Sequence, residues 1–321
     1  MKAIVYREYG TTDNLHLEEV PKPVPKPNEV LIKMEAASVN SWDWDMLRGK
    51  PFIVRMGALF KPRFNILGID VAGRVEAIGS QVKKFKPGDE VFGDVSGYSW
   101  GGFAEYVCAP EKPLALKSPK MTFEEAAALP HAGVLALQGL RLHPGIQAGH
   151  QVLLNGAGGG VGTIALQLVK QEGAEVTVVD RADKFDMLRA LGADHFIDYT
   201  KEDFTGSGKQ YDLILDVVAH RSFFDYKRAL ARDGVFVLIG GRISLLLPLL
   251  TLGPLFAKLE RKKLGILPHK PNSKDLAYLR DCFEAGELKP IIDKQFPLSE
   301  VPAALQYLGD GNARGKVVIT I

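Results

Sequence analysis

The stretch Val152-Leu-Leu-Asn-Gly-Ala-Gly-Gly-Gly-Val-Gly162 decides the fold. Its first four residues predict a short buried strand, and the five glycines within residues 156–162 predict a tight turn. The following TIALQLVKQ, from Thr163, has the period of a helix and ends at Gly173. A strand, a glycine-rich turn and a helix in this order are typical of the first unit of an open parallel sheet.

The turn fits the G-x-G-x-x-G fingerprint of dinucleotide binding, with Ala157 at the first glycine position. Gly159 takes the second position, where the backbone approaches a pyrophosphate, and Gly162 takes the third, where the helix packs closely on the strand. Together with Gly160 and Val161, the start of the helix would then hold the phosphate charge. A glycine-rich turn without a ligand is the alternative, and it accounts poorly for so many glycines.

A carboxylate ends the second strand of this unit. Asp180 lies eighteen residues after Gly162, where a carboxylate accepts hydrogen bonds from the ribose hydroxyls of NAD(H) and repels the 2′-phosphate of NADP(H). However, Arg181 and Lys184 follow at once, and an arginine here can pair with a 2′-phosphate. The alternative role of Asp180 is to cap the next helix. The residues alone therefore leave both cofactors open.

Strand and helix patterns continue to alternate along the chain. EVTVVD, HFID, YDLILDVV and GVFVLIG are strand-like, and DKFDMLRAL is helical. Strands separated by helices of this length are joined by right-handed crossovers in a parallel sheet. We therefore predict an α/β fold with a Rossmann doubly wound sheet over residues 123–268, beginning at the capping box Thr122-Phe-Glu-Glu125.

The remainder of the sequence is β-rich. Short apolar runs such as NEVLIKMEAASVN, GRVEAIGS and EYVCAP lie between turn signals, of which Pro87-Gly-Asp89 is the clearest. After about Leu267 the pattern returns to short strands and one helix, and it closes on GKVVITI. We predict that residues 1–122, rejoined by residues 269–321, form a β-rich domain.

Composition limits the function classes. The 321 residues are 46% hydrophobic and 24% charged, as in an ordinary globular protein, and a net charge of +2 without a basic stripe gives no reason to expect nucleic acid as a partner. Cys108 and Cys282 could form one disulfide, but two distant thiols better suit a reducing compartment. The N-terminal MKAIVYREYG lacks a signal-peptide pattern, so we expect a cytoplasmic protein.

One apolar run, residues 243–259, bears on membrane association. Its 17 residues are at the lower limit for a membrane span, and Pro248, Gly253 and Pro254 interrupt it. We therefore expect no integral membrane span but a buried or partner-facing flap. A hydrophobic lip over an apolar substrate and a surface that touches a bilayer stay open.

Blocks along the whole chain resemble the zinc-independent medium-chain dehydrogenases/reductases. They are SVNSWDWDMLRG, LGIDVAGRVEAIGSQVKKFKPGDEVFG, GGFAEYV, LPHAGVLALQGL, NGAGGGVGTIALQLVK, LGADHFIDY and ARGKVVITI. Within that superfamily the sequence is similar to the quinone oxidoreductase branch, which includes ζ-crystallin and the chloroplast-envelope homologues. The resemblance implies that the β-rich domain is GroES-like, that NADP(H) is the cofactor, and that the protein is a homodimer.

The zinc ligands of the alcohol dehydrogenases in this superfamily are missing. Their cysteine and their G-H-E histidine would stand in Val39-Asn40-Ser41 and Gly68-Ile69-Asp70, and two cysteines cannot build a structural zinc lobe. We therefore expect no zinc. Without a metal, hydride transfer needs an acceptor that is already electrophilic, such as a quinone or an α,β-unsaturated carbonyl.

The resemblance also implies roles for single residues. Asn40 is the candidate donor to the acceptor's oxygen, with a turn-capping role as the alternative, and Asp43 would orient its loop. Trp42 and Trp44 could stack on a flat quinone or serve packing. We expect His131 to be a packed residue rather than a catalytic acid, because a lone histidine more often has that role. Further contacts to the nicotinamide cofactor are implied for Gly133, Val134, Tyr199, Val218, Gly240, Gly241 and Lys316.

Three functions follow from these observations. The first is an NAD(P)H-dependent reductase of small-molecule quinones or enones. The second is an enoyl-thioester reductase, although the tyrosine that this branch offers as a proton donor is absent from residues 40–48. The third is a cofactor-binding protein with little turnover, either structural or peripheral to a membrane.

Overall fold

The protein, described by a computed structural model over residues 1–56 and 58–321, consists of two compact units. One comprises Met1–Val134 with Lys270–Ile321, and the other comprises Leu135–His269. Residues 123–134 thus group with the first unit, whereas we placed the start of the dinucleotide-binding domain at residue 123. That domain boundary stays a prediction.

The regular elements are numbered in chain order. The strands are β1 Lys2–Val5, β2 His16–Glu19, β3 Glu29–Val39, β4 Asp70–Ile78, β5 Glu90–Asp94, β6 Tyr106–Pro110, β7 Leu114–Leu116, β8 Gln151–Asn155, β9 Glu175–Asp180, β10 His195–Asp198, β11 Tyr211–Asp216, β12 Leu230–Leu238, β13 Lys263–Ile266, β14 Ile292–Pro297 and β15 Lys316–Thr320. The helices are α1 Ser41–Arg48, α2 Phe123–Ala128, α3 Pro130–Leu140, α4 Gly160–Gln171, α5 Phe185–Ala190, α6 Phe223–Ala229, α7 Leu246–Thr251, α8 Gly253–Leu259, α9 Ser273–Glu284 and α10 Val301–Gly309.

The first unit is built on a seven-stranded sheet in the order β14-β15-β3-β4-β5-β7, with β6 also paired to β3. The long strand β3 is antiparallel to β4, β6 and β15. Alternate residues of these strands, such as Ile32 of β3 and Val71 of β4, face a core that also contains Phe103, and all three side chains are fully buried. The β-rich, GroES-like architecture is therefore confirmed, and the C-terminal strands β14 and β15 belong to it.

Helix α2 begins at the predicted capping box. The hydroxyl of Thr122 accepts a hydrogen bond from the Glu125 N–H at 3.1 Å, and the Glu125 carboxylate accepts one from the Thr122 N–H at 3.0 Å. The predicted turn at Gly88 is also present, because this glycine has a φ of +92°.

The second unit is a six-stranded parallel sheet in the order β10-β9-β8-β11-β12-β13. Counted from the first strand of the unit, this order is 3-2-1-4-5-6, that of the doubly wound Rossmann fold. The direction of winding reverses between β8 and β11, and in such sheets ligands bind beyond the carboxyl ends of the strands near this point. The Rossmann prediction is confirmed.

The apolar run between β12 and β13 forms two short helices, α7 and α8, after a single 3₁₀ turn at Ile243–Leu245. Pro254 lies in the first turn of α8, where a missing N–H is tolerated. No helix in the described part of the chain has the length and apolar composition needed to cross a membrane. Strand β13, which follows α8, was not predicted, because Lys263 and Gly265 leave only two apolar residues in Lys263-Leu-Gly-Ile.

Candidate functional site

The glycine-rich loop joins β8 to α4, as the sequence predicts. Gly156 has a φ of +80°, in the left-handed region that favours glycine. A Cβ on Gly162 would lie within 2.5 Å of the carbonyl oxygens of Gly156 and Ala157. Only a glycine at position 162 therefore lets α4 start so close to the loop.

Gly159 lies at the N-cap of α4 and has different surroundings. A Cβ on Gly159 would come no nearer than 3.6 Å to another atom, the carbonyl oxygen of Gly156. Because the N-cap residue is a glycine, it has no side chain to accept hydrogen bonds from the first N–H groups of the helix, those of Gly160, Val161 and Gly162. Open space beside N–H donors at the positive end of a helix fits a pyrophosphate, so these residues can hold a dinucleotide.

The other candidate residues of the second unit follow the carboxyl ends of its strands. Asp180 ends β9, Tyr199 follows β10, and Val218 follows β11. Gly240 and Gly241 follow β12. Carboxyl ends of parallel strands share one edge of the sheet, so the fold brings these five residues to the edge where the glycine-rich loop lies.

The two glycines after β12 are also required by backbone packing. Gly241 has a φ of +138°, and a Cβ there would lie 2.7 Å from the backbone nitrogen of Ala219. A Cβ on Gly240 would lie 2.5 Å from the carbonyl oxygen of Val217. Close approach of the chain segments that leave β11 and β12 thus explains both glycines without a ligand.

Asp180 is buried and tied to the glycine-rich loop. Its Oδ2 accepts a hydrogen bond from the Gly158 N–H at 2.7 Å, and its Oδ1 accepts one from the Arg181 N–H at 2.9 Å. The ammonium of Lys184 lies 3.4 Å from Oδ1, and the Lys184 side chain is also buried. The carboxylate therefore anchors the loop to β9 and is balanced by a positive charge. It does not cap a helix, since the short turn that follows has Arg181 at its N-cap.

The side chain of Arg181 forms an ion pair with Asp183. Its Nε lies 3.1 Å from the Asp183 carboxylate, and both side chains are more than one third exposed. This exposed ion pair contributes little to stability. Arg181 can therefore exchange Asp183 for another anion at small cost.

In the first unit, Asp70 is the centre of a buried polar cluster that sequence reasoning missed. Its Oδ2 accepts hydrogen bonds from Ser38 Oγ at 2.6 Å, Asn40 Nδ2 at 2.9 Å and Lys316 Nζ at 3.1 Å. Its Oδ1 accepts one from the His131 backbone N–H at 2.7 Å. The sequence contains one signal for this cluster: Asp70 is the last residue of Gly68-Ile69-Asp70, the triplet that aligns with the G-H-E motif of the zinc enzymes.

The Asn40 amide is held at both ends within this cluster. Its Oδ1 accepts a hydrogen bond from Lys316 Nζ at 2.6 Å, and its Nδ2 donates to Asp70 and, at 3.3 Å, to the Ser38 carbonyl oxygen. Both Asn40 and Lys316 are buried. The amide orientation is fixed, and its two N–H groups already have acceptors in the protein.

Asp43 holds the start of α1. Its Oδ2 accepts a hydrogen bond from the Asn40 N–H and its Oδ1 accepts one from the Gly68 N–H, both at 2.9 Å. Burial raises the pKa of this carboxyl to about 7. These bonds fix the turn between Asn40 and α1.

His131 is paired with a second buried carboxylate. Its Nδ1 lies 2.8 Å from Oδ2 of Asp94, which is fully buried. Burial lowers the pKa of His131, but the charge of Asp94 and this hydrogen bond outweigh it, so that the pKa is raised overall. The contact shows His131 as a packed, paired residue.

Two further candidates of the first unit, Gly133 and Val134, are closely packed. A Cβ on Gly133 would lie 2.7 Å from Leu279, and Val134 is fully buried. The Trp44 ring lies against the guanidinium of Arg48, 5.3 Å from its centroid, whereas Trp42 is half exposed. The thiols of Cys108 and Cys282 are both free, which removes the open question of a disulfide.

Comparison with known proteins agrees with the fold. Residues 26–120 match the family described as alcohol dehydrogenase GroES-like domain, and residues 191–319 match zinc-binding dehydrogenase. The chloroplastic quinone-oxidoreductase QR1 of Triphysaria versicolor is 34% identical over 99% of this chain and 98% of its own length. The chain belongs to the medium-chain dehydrogenase/reductase superfamily.

Two further relatives support the same family membership. The chloroplastic NADPH-dependent alkenal/one oxidoreductase of Arabidopsis thaliana is 34% identical over 99% of this chain and 79% of its own length. The quinone oxidoreductase of Coxiella burnetii has a structure that matches with a TM-score of 0.87 and 31% identity, covering 100% of this chain and 99% of that one.

Membership makes the protein an oxidoreductase that uses a nicotinamide cofactor, which confirms that part of the prediction. The relatives named above are chloroplastic where a compartment is given, so they do not support the cytoplasmic location that we expected.

Proposed function

We propose that this oxidoreductase uses NADPH to reduce small-molecule quinones or α,β-unsaturated carbonyls without zinc. The observation that carries the proposal is the glycine-rich loop, where open space at Gly159 adjoins the uncapped start of α4. The acceptor class follows from the names of the relatives, which act on quinones and on alkenals or alkenones. A bound nicotinamide supplies the hydride, and the protein binds and orients the reactants.

The preference for NADPH is supported by the surroundings of Asp180. Its carboxylate accepts two backbone hydrogen bonds and lies beside the Lys184 ammonium, so a 2′-phosphate would not meet an unbalanced negative charge. Arg181 is exposed at the same edge of the sheet, and to bind the phosphate it would have to break only its exposed ion pair with Asp183. We propose that Arg181 and Lys184 hold the 2′-phosphate and that Tyr199 lies against the adenosine.

The absence of zinc is proposed from the residues at the ligand positions. An asparagine and an isoleucine stand where the cysteine and histidine would be, and Asn40 is bonded to Lys316, Asp70 and Ser38 rather than open to a metal. An amide oxygen facing an ammonium is a poor zinc ligand in proteins. The homodimer and the cytoplasmic location stay predictions.

Asn40 remains the candidate for contact with the acceptor, but the structure changes how it would act. To donate to the acceptor's oxygen, its amide would have to leave Asp70 or Ser38. Lys316 was expected at the cofactor, yet its ammonium is directed at Asn40, Asp70 and the Val39 carbonyl oxygen. We propose that Lys316 positions Asn40, and that Gly133, Val134, Val218, Gly240 and Gly241 approach the nicotinamide end of the cofactor.

The test is a survey of NADPH and NADH oxidation with quinones, enones, enals and enoyl thioesters. We expect turnover with quinones or enones, faster with NADPH, and little with enoyl thioesters because the tyrosine donor is absent. Preferential turnover of enoyl thioesters would favour the second hypothesis. Tight NADPH binding without turnover of any acceptor would favour a cofactor-binding protein of another role.

A further inference from the structure

The two helices between β12 and β13 expose an unusual number of large aliphatic side chains. Ile243, Leu247 and Leu250 share one face, at spacings of four and three, and are 41%, 70% and 67% exposed. On α8, Leu255 and Leu259 are four residues apart and are 48% and 68% exposed. We call these five residues the leucine face. A concentration of exposed large aliphatic side chains in one short segment marks a site of contact with a partner or a membrane.

The leucine face is held rigidly on the second unit. Leu245 and Leu249, on the opposite side of the same turns, are buried in the core of that unit. The ring of Phe256 on α8 packs 5.8 Å from that of Phe223. Because the inward sides of α7 and α8 are anchored in this way, the outward leucines cannot turn inward without breaking the core.

The segment that carries the leucine face is rich in positive charge. Residues 242–263 contain five basic side chains and one acidic one, Glu260. Glu260 is paired with Lys227 at 2.7 Å, and Arg261 is paired with Asp233 at 2.6 Å. The basic residues of the segment are Arg242, Lys258, Arg261, Lys262 and Lys263. This excess of cations beside an apolar face is complementary to a negatively charged surface with an apolar interior.

We propose that the leucine face docks on a bilayer that contains anionic phospholipids. The leucines enter the boundary between headgroups and acyl chains, and the basic residues lie against the phosphates. The helices lie on the membrane, because each of them is far too short to cross it. The proposal does not depend on the reaction, so its failure and that of the proposed function can be told apart.

The first test is flotation with vesicles of pure phosphatidylcholine and of an equal mixture of phosphatidylcholine and phosphatidylglycerol. We expect the wild type to float with the mixed vesicles. The double variant Leu247→Ser/Leu250→Ser should lower the partition coefficient of the protein between vesicles and solution by at least about tenfold. The control Leu142→Ser, at an exposed leucine in the turn after α3, should leave it unchanged. Thermal unfolding shows whether each variant is folded.

The second test addresses charge. Lys258→Glu/Lys263→Glu should remove the preference for the mixed vesicles, whereas Lys201→Glu, which follows β10 at the opposite edge of the sheet, should keep it. Wild type that does not float, or leucine variants that float as well as wild type, would overturn the proposal. So would sedimentation showing a dimer that the leucine variant splits into monomers, since the face would then belong to a second copy.

Discussion

Gly159 and Gly162 lie three residues apart in the same loop but meet different surroundings, and this difference can be tested at the level of the residue. Gly159→Val should abolish binding of NADPH and NADH, because its side chain would occupy the space that fits the pyrophosphate. Thermal unfolding should be nearly unchanged, because the Cβ meets no close neighbour and the φ of −92° suits any residue. Gly162→Val should lower the free energy of unfolding by about 3 kcal/mol through overpacking against Ala157. Titration calorimetry and urea unfolding measure the two effects. Unchanged cofactor affinity in Gly159→Val would show that the loop has another role.

The side chains beside Asp180 give a second prediction at this scale. Lys184→Met keeps the aliphatic stem that packs on Gly158 but leaves the Asp180 carboxylate unbalanced, so NADPH should be weakened more than NADH. Arg181→Ala should weaken NADPH selectively by about 1.5–3 kcal/mol if it bonds the 2′-phosphate. Arg189→Ala, which removes a similar exposed ion pair from α5, is the control. Equal losses for both cofactors, or a wild type that prefers NADH, would contradict the assignment.

At the scale of the elements, the Lys316–Asp70 ion pair links β15 to β4 across the end of β3. Lys316→Met should lower the free energy of unfolding by about 3–5 kcal/mol, because it leaves a buried carboxylate without its counter-charge. Adding Asp70→Asn should recover part of this loss, so that the double variant is more stable than the sum of the single losses predicts. Lys33→Met, at an exposed position of β3, should have little effect. Strictly additive losses would show that the two residues are not coupled.

Sequence patterns predicted those elements whose signals are local. The strands β8 to β12 and the helix after the glycine-rich loop were found from period and punctuation, since a strand or helix carries its own pattern. The Asp70 cluster was not, because its partners are 32, 30 and 246 residues away from Asp70 in the chain. The contact between Lys316 and Asn40 was not predicted for the same reason: only the pairing of β15 with β3 brings the two residues together.

For the whole molecule, we expect no stoichiometric zinc and full activity in the presence of a strong chelator. The ligand positions hold Asn40 and Ile69, and the chain has two cysteines, Cys108 and Cys282. Elemental analysis of the purified protein, together with activity before and after dialysis against a chelator, measures this directly. One tightly held zinc per chain whose removal stops turnover would contradict the prediction.

The first unit is assembled from two distant parts of the chain, and this has a consequence for biosynthesis. Strand β15 lies between β14 and β3 in the sheet, yet the ribosome makes it after every strand of the second unit. The Rossmann-type unit therefore has all its strands while residues 36–39 of β3, which pair with β15 beyond the stretch covered by β6, still lack a neighbour on that edge. An unpaired strand edge of this kind invites aggregation. Nascent chains stalled before residue 316 should resist protease in residues 135–269 and be cut in residues 1–134. A chaperone that shields β3 during this interval would act before the protein is complete.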